Sequence, residues 1–214
     1  MLIGIFGGTF DPVHFGHLRT ALEVCEALEL DEMRWVPCRQ PPHRRQPVAS
    51  PDDRLQMLEL ALQGAPDCFV LDRREMEREG PSYMVDTLAS MREQWPKASL
   101  CLVLGQDAFL GLDLWHRWRE LLDLSHIVVM RRPGAFPLDS NPAVAEWAGL
   151  RMTAQGARLR GEPFGLVHAV EVTQLPISAT AIRAILAGRR RADYLLPSQV
   201  MAYIRAKGLY STAV

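Results

Sequence analysis

The segment Gly7-Gly8-Thr9-Phe10-Asp11-Pro12-Val13-His14-Phe15-Gly16-His17 constrains this chain more than any other. It follows an apolar run, Met1 to Phe6, that reads as a strand, and it opens a run with Leu18, Leu22 and Cys25 on one helical face. Two glycines, a hydroxyl and two histidines three residues apart thus stand at a strand-to-helix corner. Open α/β sheets hold phosphates at such corners, where unpaired helix N–H groups and the helix dipole favour an anion. Gly7 and Gly8 carry no Cβ, so backbone N–H groups can approach an anion. Thr9 adds a donor, and His14 and His17 lie near the positive end of the helix. The spacing is neither that of GxxxxGK(S/T) nor that of GxGxxG. A lone HxxH pair also suits a partial metal site. Zinc would then need a third ligand, for which Asp11 is the near candidate.

Strand and helix signals alternate along the chain. Helix one is expected from Phe15 to Leu28, a second strand from Met33 to Pro37, then a proline- and arginine-rich loop from Cys38 to Ser50. Ser50 and Pro51 start a helix with Leu55, Leu58 and Leu62 on its face. Cys68 to Leu71 reads as a short strand, and Pro81-Ser82 precedes a helix carrying Met84, Leu88, Met91 and Trp95. Ser99 to Leu104 is a buried strand, Trp115 to Leu122 a helix, and His126 to Met130 the next strand. Pro133 to Pro163 reads as a loop excursion around one helix, Pro142 to Ala148. Leu166 to Val172 is the last strand. Ser178 caps a helix ending near Gly188, and Ser198 caps another ending near Gly208.

This pattern predicts an α/β fold with a doubly wound, mostly parallel sheet and a helical C-terminal part, residues 178–214, within one 214-residue domain. Right-handed crossovers place every β-to-α loop along one sheet edge. Four polar clusters then meet: the histidine loop, Pro41-Pro42-His43-Arg44, Gly105-Gln106-Asp107, and Ile177 to Arg183.

Composition narrows the partners. The formal net charge of −1 supplies no general field for nucleic acid or an anionic membrane. No apolar run approaches the ~18 residues of a membrane span, and the first residues do not read as a signal peptide. Cys25, Cys38, Cys68 and Cys101 form no CxxC pair; Cys25 and Cys101 sit in apolar segments as core thiols, which fits a reducing, cytoplasmic setting.

The run from Gly7 to His17 resembles the (T/H)xGH signature of the nucleotidyltransferase superfamily in its adenylyltransferase form. Further segments resemble the bacterial nicotinate mononucleotide adenylyltransferases. They are PPHR at Pro41–Arg44, SYMVDTL at Ser82–Leu88, GQDAF at Gly105–Phe109, LWHRWREL at Leu114–Leu121, RRPG at Arg131–Gly134 and ISATAIR at Ile177–Arg183. Two positions depart from the family pattern: Arg44 where lysine is usual, and Ala179 where serine is common.

The resemblance implies that ATP and nicotinate mononucleotide give nicotinate adenine dinucleotide and pyrophosphate. In that scheme His17 donates to the α-phosphate, His14 and Thr9 help hold the triphosphate, and Arg183 with Ser178 grips the β- and γ-phosphates. Gly7, Gly8, Phe10, Arg44, Gly105, Asp107 and Ile177 complete the ATP site, with Asp107 set to accept from a ribose hydroxyl. Ser82, Tyr83, Thr87, Trp115 and Arg132 form the acceptor site, where Trp115 stacks the pyridinium. Mg²⁺ rides on the triphosphate rather than in a protein cage.

Bland roles compete at several positions. Asp107 could cap a helix, Trp115 could be core like Trp118, His43 could be a loop residue, and His116, His126 and His168 read as ordinary. Rival acceptors are nicotinamide mononucleotide and phosphopantetheine; a nucleotide sensor and a synthetase-like module are rivals of other classes. A homo-oligomer stays open, with the 133–163 excursion as a candidate surface.

Overall fold

A computed structural model describes residues 1–42, 46–131, 140–173 and 175–211. Its elements, in chain order, are β1 Leu2–Gly8, α1 Phe15–Leu28, β2 Glu32–Pro37, α2 Pro51–Leu62, β3 Phe69–Leu71, α3 Arg74–Glu77, α4 Met84–Gln94 and β4 Ser99–Gly105. There follow α5 Gln106–Leu110, α6 Leu121–Leu124, β5 His126–Arg131, α7 Pro142–Ala148, β6 Met152–Thr153, β7 Val167–Glu171, α8 Ala179–Ala187 and α9 Ser198–Lys207.

The strands form one sheet in the order β3-β2-β1-β4-β5-β7-β6, and every pairing is parallel. Alternate residues of β1 enter opposite layers, as period-2 geometry requires. Leu2 and Phe6 join a core with α1, α2 and α9, while Ile3 and Ile5 join one with α4 and α6. Both faces are covered, so the central strands read as continuous apolar runs. The chain winds outward from β1 through β2 to β3, then restarts at β4 and winds the other way. The crevice beyond the carboxyl ends of β1 and β4 is therefore the topological switch point, where such sheets bind ligands.

Several expected elements need correction. Trp115–Leu122 is not one helix: a 3-10 turn spans Leu112–Leu114, another spans Trp118–Glu120, and α6 follows. Arg117 breaks the run by adopting a left-handed backbone, φ 51°, between them. The excursion is not merely loop around α7, because Met152–Thr153 pairs with Val167–His168 at the sheet edge. On α2 the buried residues are Arg54, Met57, Leu58 and Ala61, a face turned from the expected Leu55-Leu58-Leu62. Helix α9 begins at Ser198 itself, after Pro197, and the Ser198 hydroxyl meets Gln199 Oε1 instead of capping.

Other expectations hold. Ser50 and Ser178 accept N-cap hydrogen bonds from Asp53 and Ala181. Gly208 closes α9 in the left-handed conformation, φ 62°. Cys25 and Cys101 are buried, and no disulfide joins any of the four cysteines. The C-terminal helices share their core with the sheet: Leu196, Val200, Ile204 and Tyr210 belong to the same buried cluster as Leu2 and Phe6. Among the described residues no helix is long and apolar enough to cross a membrane.

Candidate active site

A cleft of about 1220 Å³ opens at the switch point. Gly8 to Asp11, His14, His17, Ile177, Thr180 and Arg183 line one end, Ser82, Tyr83, Trp115, His116 and Glu75 line the other, and Gly7, Gly105 and Met84 complete the lining, with Met84 against Gly7. The histidine loop, Pro41–Pro42, Gly105 and the start of α8 thus converge as the topology requires. His43, Arg44 and Arg132 lie outside the described residues.

The two glycines differ from their expected place. They finish β1 rather than form a loop, pairing with Val36 and Pro37. Their missing Cβ atoms matter for packing. At Gly7 a Cβ would lie 2.5 Å from Met84 Cε, and at Gly8 one would lie 2.8 Å from the Phe10 ring. Phe10 turns the chain with φ 49°, a left-handed conformation uncommon for a bulky residue. Its buried ring then meets His17 edge-on, centroids 5.3 Å apart.

His14 caps α1 in extended backbone, and the His14 and His17 rings stack with centroids 3.7 Å apart. The His14 main-chain N–H donates to His17 Nδ1 at 3.3 Å. Neutral imidazole has one donor nitrogen, so this bond leaves the His17 proton on Nε2. Burial lowers the His14 pKa to about 4. Burial first, and the neighbouring His14 second, hold His17 well below the usual histidine range. Both rings are therefore neutral near pH 7, hydrogen-bond donors rather than cations, in the protein without ligand.

The positive charge comes from arginine. Arg183 Nη1 donates to the Asp11 main-chain oxygen at 2.6 Å and Nη2 to Thr180 Oγ1 at 3.2 Å. The wholly buried Arg54 donates to the carbonyls of Thr9, Cys38 and Arg39 at 2.8, 2.5 and 2.9 Å. It thereby ties the first loop to the start of the loop after β2. Nothing in a helical pattern marks an arginine for that task, and sequence reasoning missed it.

At the other end, α4 leaves the Met84 and Val85 N–H groups without intrahelical acceptors. The expected hydroxyls are already engaged. Ser82 Oγ accepts from Arg39 and Gln40 N–H at 3.1 and 3.2 Å. Thr87, fully buried and outside the cleft lining, donates to Glu75 Oε1 at 2.6 Å and accepts from Arg78 at 3.0 Å. Burial pushes the Glu75 carboxyl up, against the opposing pull of Thr87 and Arg78. The Tyr83 and His116 rings meet at a tilt of 32°, centroids 4.2 Å apart, and His116 lines the cleft, so it is not the ordinary residue expected. Trp115 lines the cleft beside it, whereas Trp118 is core.

Asp107 is exposed in the first turn of α5 and outside the lining, and the Ser178 hydroxyl is used as the α8 cap. His126 is structural as expected, accepting from Leu166 N–H at 3.0 Å and meeting Glu162 O at 2.8 Å.

Comparison with known proteins places this geometry. The cytidylyltransferase-like family model matches residues 5–185. A relative from Methylococcus capsulatus, named "Probable nicotinate-nucleotide adenylyltransferase", is 51% identical over 210 residues, covering 98% of this chain and 100% of its own. One of the same name from Pseudomonas syringae pv. tomato is 49% identical, covering 97% and 93%. Among solved structures, the Plasmodium falciparum nicotinic acid mononucleotide adenylyltransferase complexed with NaAD is similar in fold. It aligns with a TM-score of 0.73 at 17% identity over 99% of this chain and 98% of that one.

Proposed function

Since this chain belongs to the cytidylyltransferase-like family and groups there with the nicotinate-nucleotide adenylyltransferases, we propose that it transfers the adenylyl group of ATP to nicotinate mononucleotide. The products are nicotinate adenine dinucleotide and pyrophosphate. The supporting observation is one cleft with a Nε2–H donor of His17 at the glycine end of β1 and aromatic rings at the other.

The nucleophile is a phosphate monoester, largely dianionic near pH 7 with a second pKa of about 6. Its oxygen attacks the α-phosphorus, the bond to the α,β-bridging oxygen breaks, and pyrophosphate leaves with that electron pair. No general base is required. The obstacle is anion repulsion and charge growth, so the site works by positioning and preorganised donors. His17 Nε2 serves the α-phosphate, with the neutral tautomer fixed in advance by the His14 amide. Arg183 and the free N–H groups opening α8 serve the β- and γ-phosphates. Arg44 supplies a further cation to the triphosphate on this reading.

The acceptor carboxylate goes to the Met84 and Val85 N–H groups, with Tyr83, His116 and Trp115 around the ring. Ser82 and Thr87 support that helix start rather than donate to substrate, because their hydroxyls are engaged within the protein. Mg²⁺ arrives on the triphosphate, since it favours phosphate oxygens and water; among the described residues no three His, Cys, Asp or Glu side chains gather to hold it. Four cysteines with no disulfide among them support a cytoplasmic setting.

Pyrophosphate release tests the proposal, with ATP and three acceptors: nicotinate mononucleotide, nicotinamide mononucleotide and 4′-phosphopantetheine. The expected result is release fastest with nicotinate mononucleotide. Release with phosphopantetheine alone would overturn it.

A further inference from the structure

Four chain segments meet on one buried carboxylate at the phosphate end of the cleft. Asp11 Oδ1 accepts from the Tyr210 hydroxyl at 2.6 Å and the Ala49 N–H at 3.1 Å, and Oδ2 accepts from the Val48 N–H at 2.8 Å. Arg183 Nη1 stands 3.8 Å from Oδ2, too far for a hydrogen bond, and is held by the Asp11 main-chain oxygen instead. A guanidinium beside a buried carboxylate ordinarily closes into a short charge-assisted pair. Here it does not: Oδ1 holds two donors, Oδ2 holds the Val48 N–H, and this set fixes the carboxylate in an orientation that leaves Arg183 on the Asp11 main-chain oxygen and Thr180 Oγ1.

We propose that Tyr210 is a positioning residue which, with the Val48 and Ala49 amides, fixes the orientation of the Asp11 carboxylate and so keeps Arg183 available to the β- and γ-phosphates. Tyr210 reaches this place by a left-handed turn, φ 61°, just beyond α9, and it is buried against the sheet core. Its packing alone would make it a core aromatic; the hydroxyl adds the electrostatic task. Without that hydroxyl, Oδ1 loses its shortest donor and the carboxylate can turn to take Arg183. The guanidinium would then be spent on Asp11 before any nucleotide arrives.

The inference rests on the proposed ATP site but not on the acceptor, so the test uses nucleotides alone. Dissociation constants for ATP and AMP are measured by calorimetry on the full chain and on Tyr210→Phe. AMP lacks the phosphates that Arg183 serves. The expected result is that the preference for ATP over AMP falls roughly tenfold in Tyr210→Phe, the loss of one hydrogen bond to a charged group, while AMP affinity is unchanged. A merely structural loosening would weaken both nucleotides alike and leave the ratio where it was, which would overturn the proposal. Adding Asp11→Asn to Tyr210→Phe removes the competing charge and should restore part of the ratio; no recovery would also count against it. Should the parent chain bind neither nucleotide, the reading of the site itself fails, and this inference with it.

Discussion

The phosphate end and the acceptor end of the cleft are built in opposite ways. At the phosphate end, side chains of the Gly7–His17 run and of Arg183 themselves line the space. At the acceptor end, two of the motif hydroxyls, Ser82 and Thr87, point into the protein and brace the start of α4. On the proposed reading the first end presents side-chain donors to charge that grows during the reaction. On the same reading the second presents main-chain N–H groups and flat rings to a nicotinate ring that stays chemically unchanged while the phosphate of the same mononucleotide reacts. The contrast teaches that a motif residue can matter through a ligand or through a scaffold, and sequence spacing does not distinguish these.

The strongest way to break this contrast is His17→Ala. If His17 donates to the transition state, turnover falls by roughly 10²–10³ with ATP KM little changed. A rise in KM alone, seen in steady-state pyrophosphate release, would demote it to a binding group. Arg54→Met removes a guanidinium that no ligand need touch. It leaves the Thr9, Cys38 and Arg39 carbonyls short of donors, and urea unfolding should show a loss of about 3 kcal/mol. Unaltered stability would mean the loops do not depend on it.

The histidines make the phosphate end pH-sensitive. In the unfolded chain His14 titrates near the ordinary histidine value of 6.5; in the folded protein burial lowers it to about 4. Between these values the unfolded state binds the extra proton. Stability is thus fully present above pH 6.5 and falls as pH drops toward 4, with a slope of up to about 1.4 kcal/mol per pH unit from this group. Unfolding measured from pH 7 to pH 4 should show the slope, and His14→Gln should flatten it. The smallest effect is at the acceptor end. Glu75→Gln weakens the brace on Thr87, so the KM for nicotinate mononucleotide should rise about tenfold while that for ATP stays put. Equal rises in both would erase the proposed separation of the two ends.

Much of this was legible in the residues themselves. Strict apolar runs gave away β1, β4 and β5, and cap residues such as Ser50, Ser178 and Gly208 marked helix ends. The cleft followed from topology once the strands were taken as parallel. Other features leave no trace in a linear pattern. Strand β6 is two residues long, below any periodicity. The Trp115–Leu122 helix failed because Arg117 takes a left-handed turn that no glycine announces. Arg54 and Tyr210 act through partners 45 and 199 residues away in sequence. His116 reads as an ordinary histidine in the sequence, and only the fold sets it beside Tyr83 in the cleft. The neutrality of His14 and His17 depends on burial and stacking, which only three-dimensional packing reveals.

A crystal structure with the non-hydrolysable analogue α,β-methylene-ATP tests the central claim most directly. The account predicts an α-phosphonate oxygen about 3 Å from His17 Nε2, with the terminal phosphate on Arg183. A nucleotide bound with its phosphates away from both residues would contradict it.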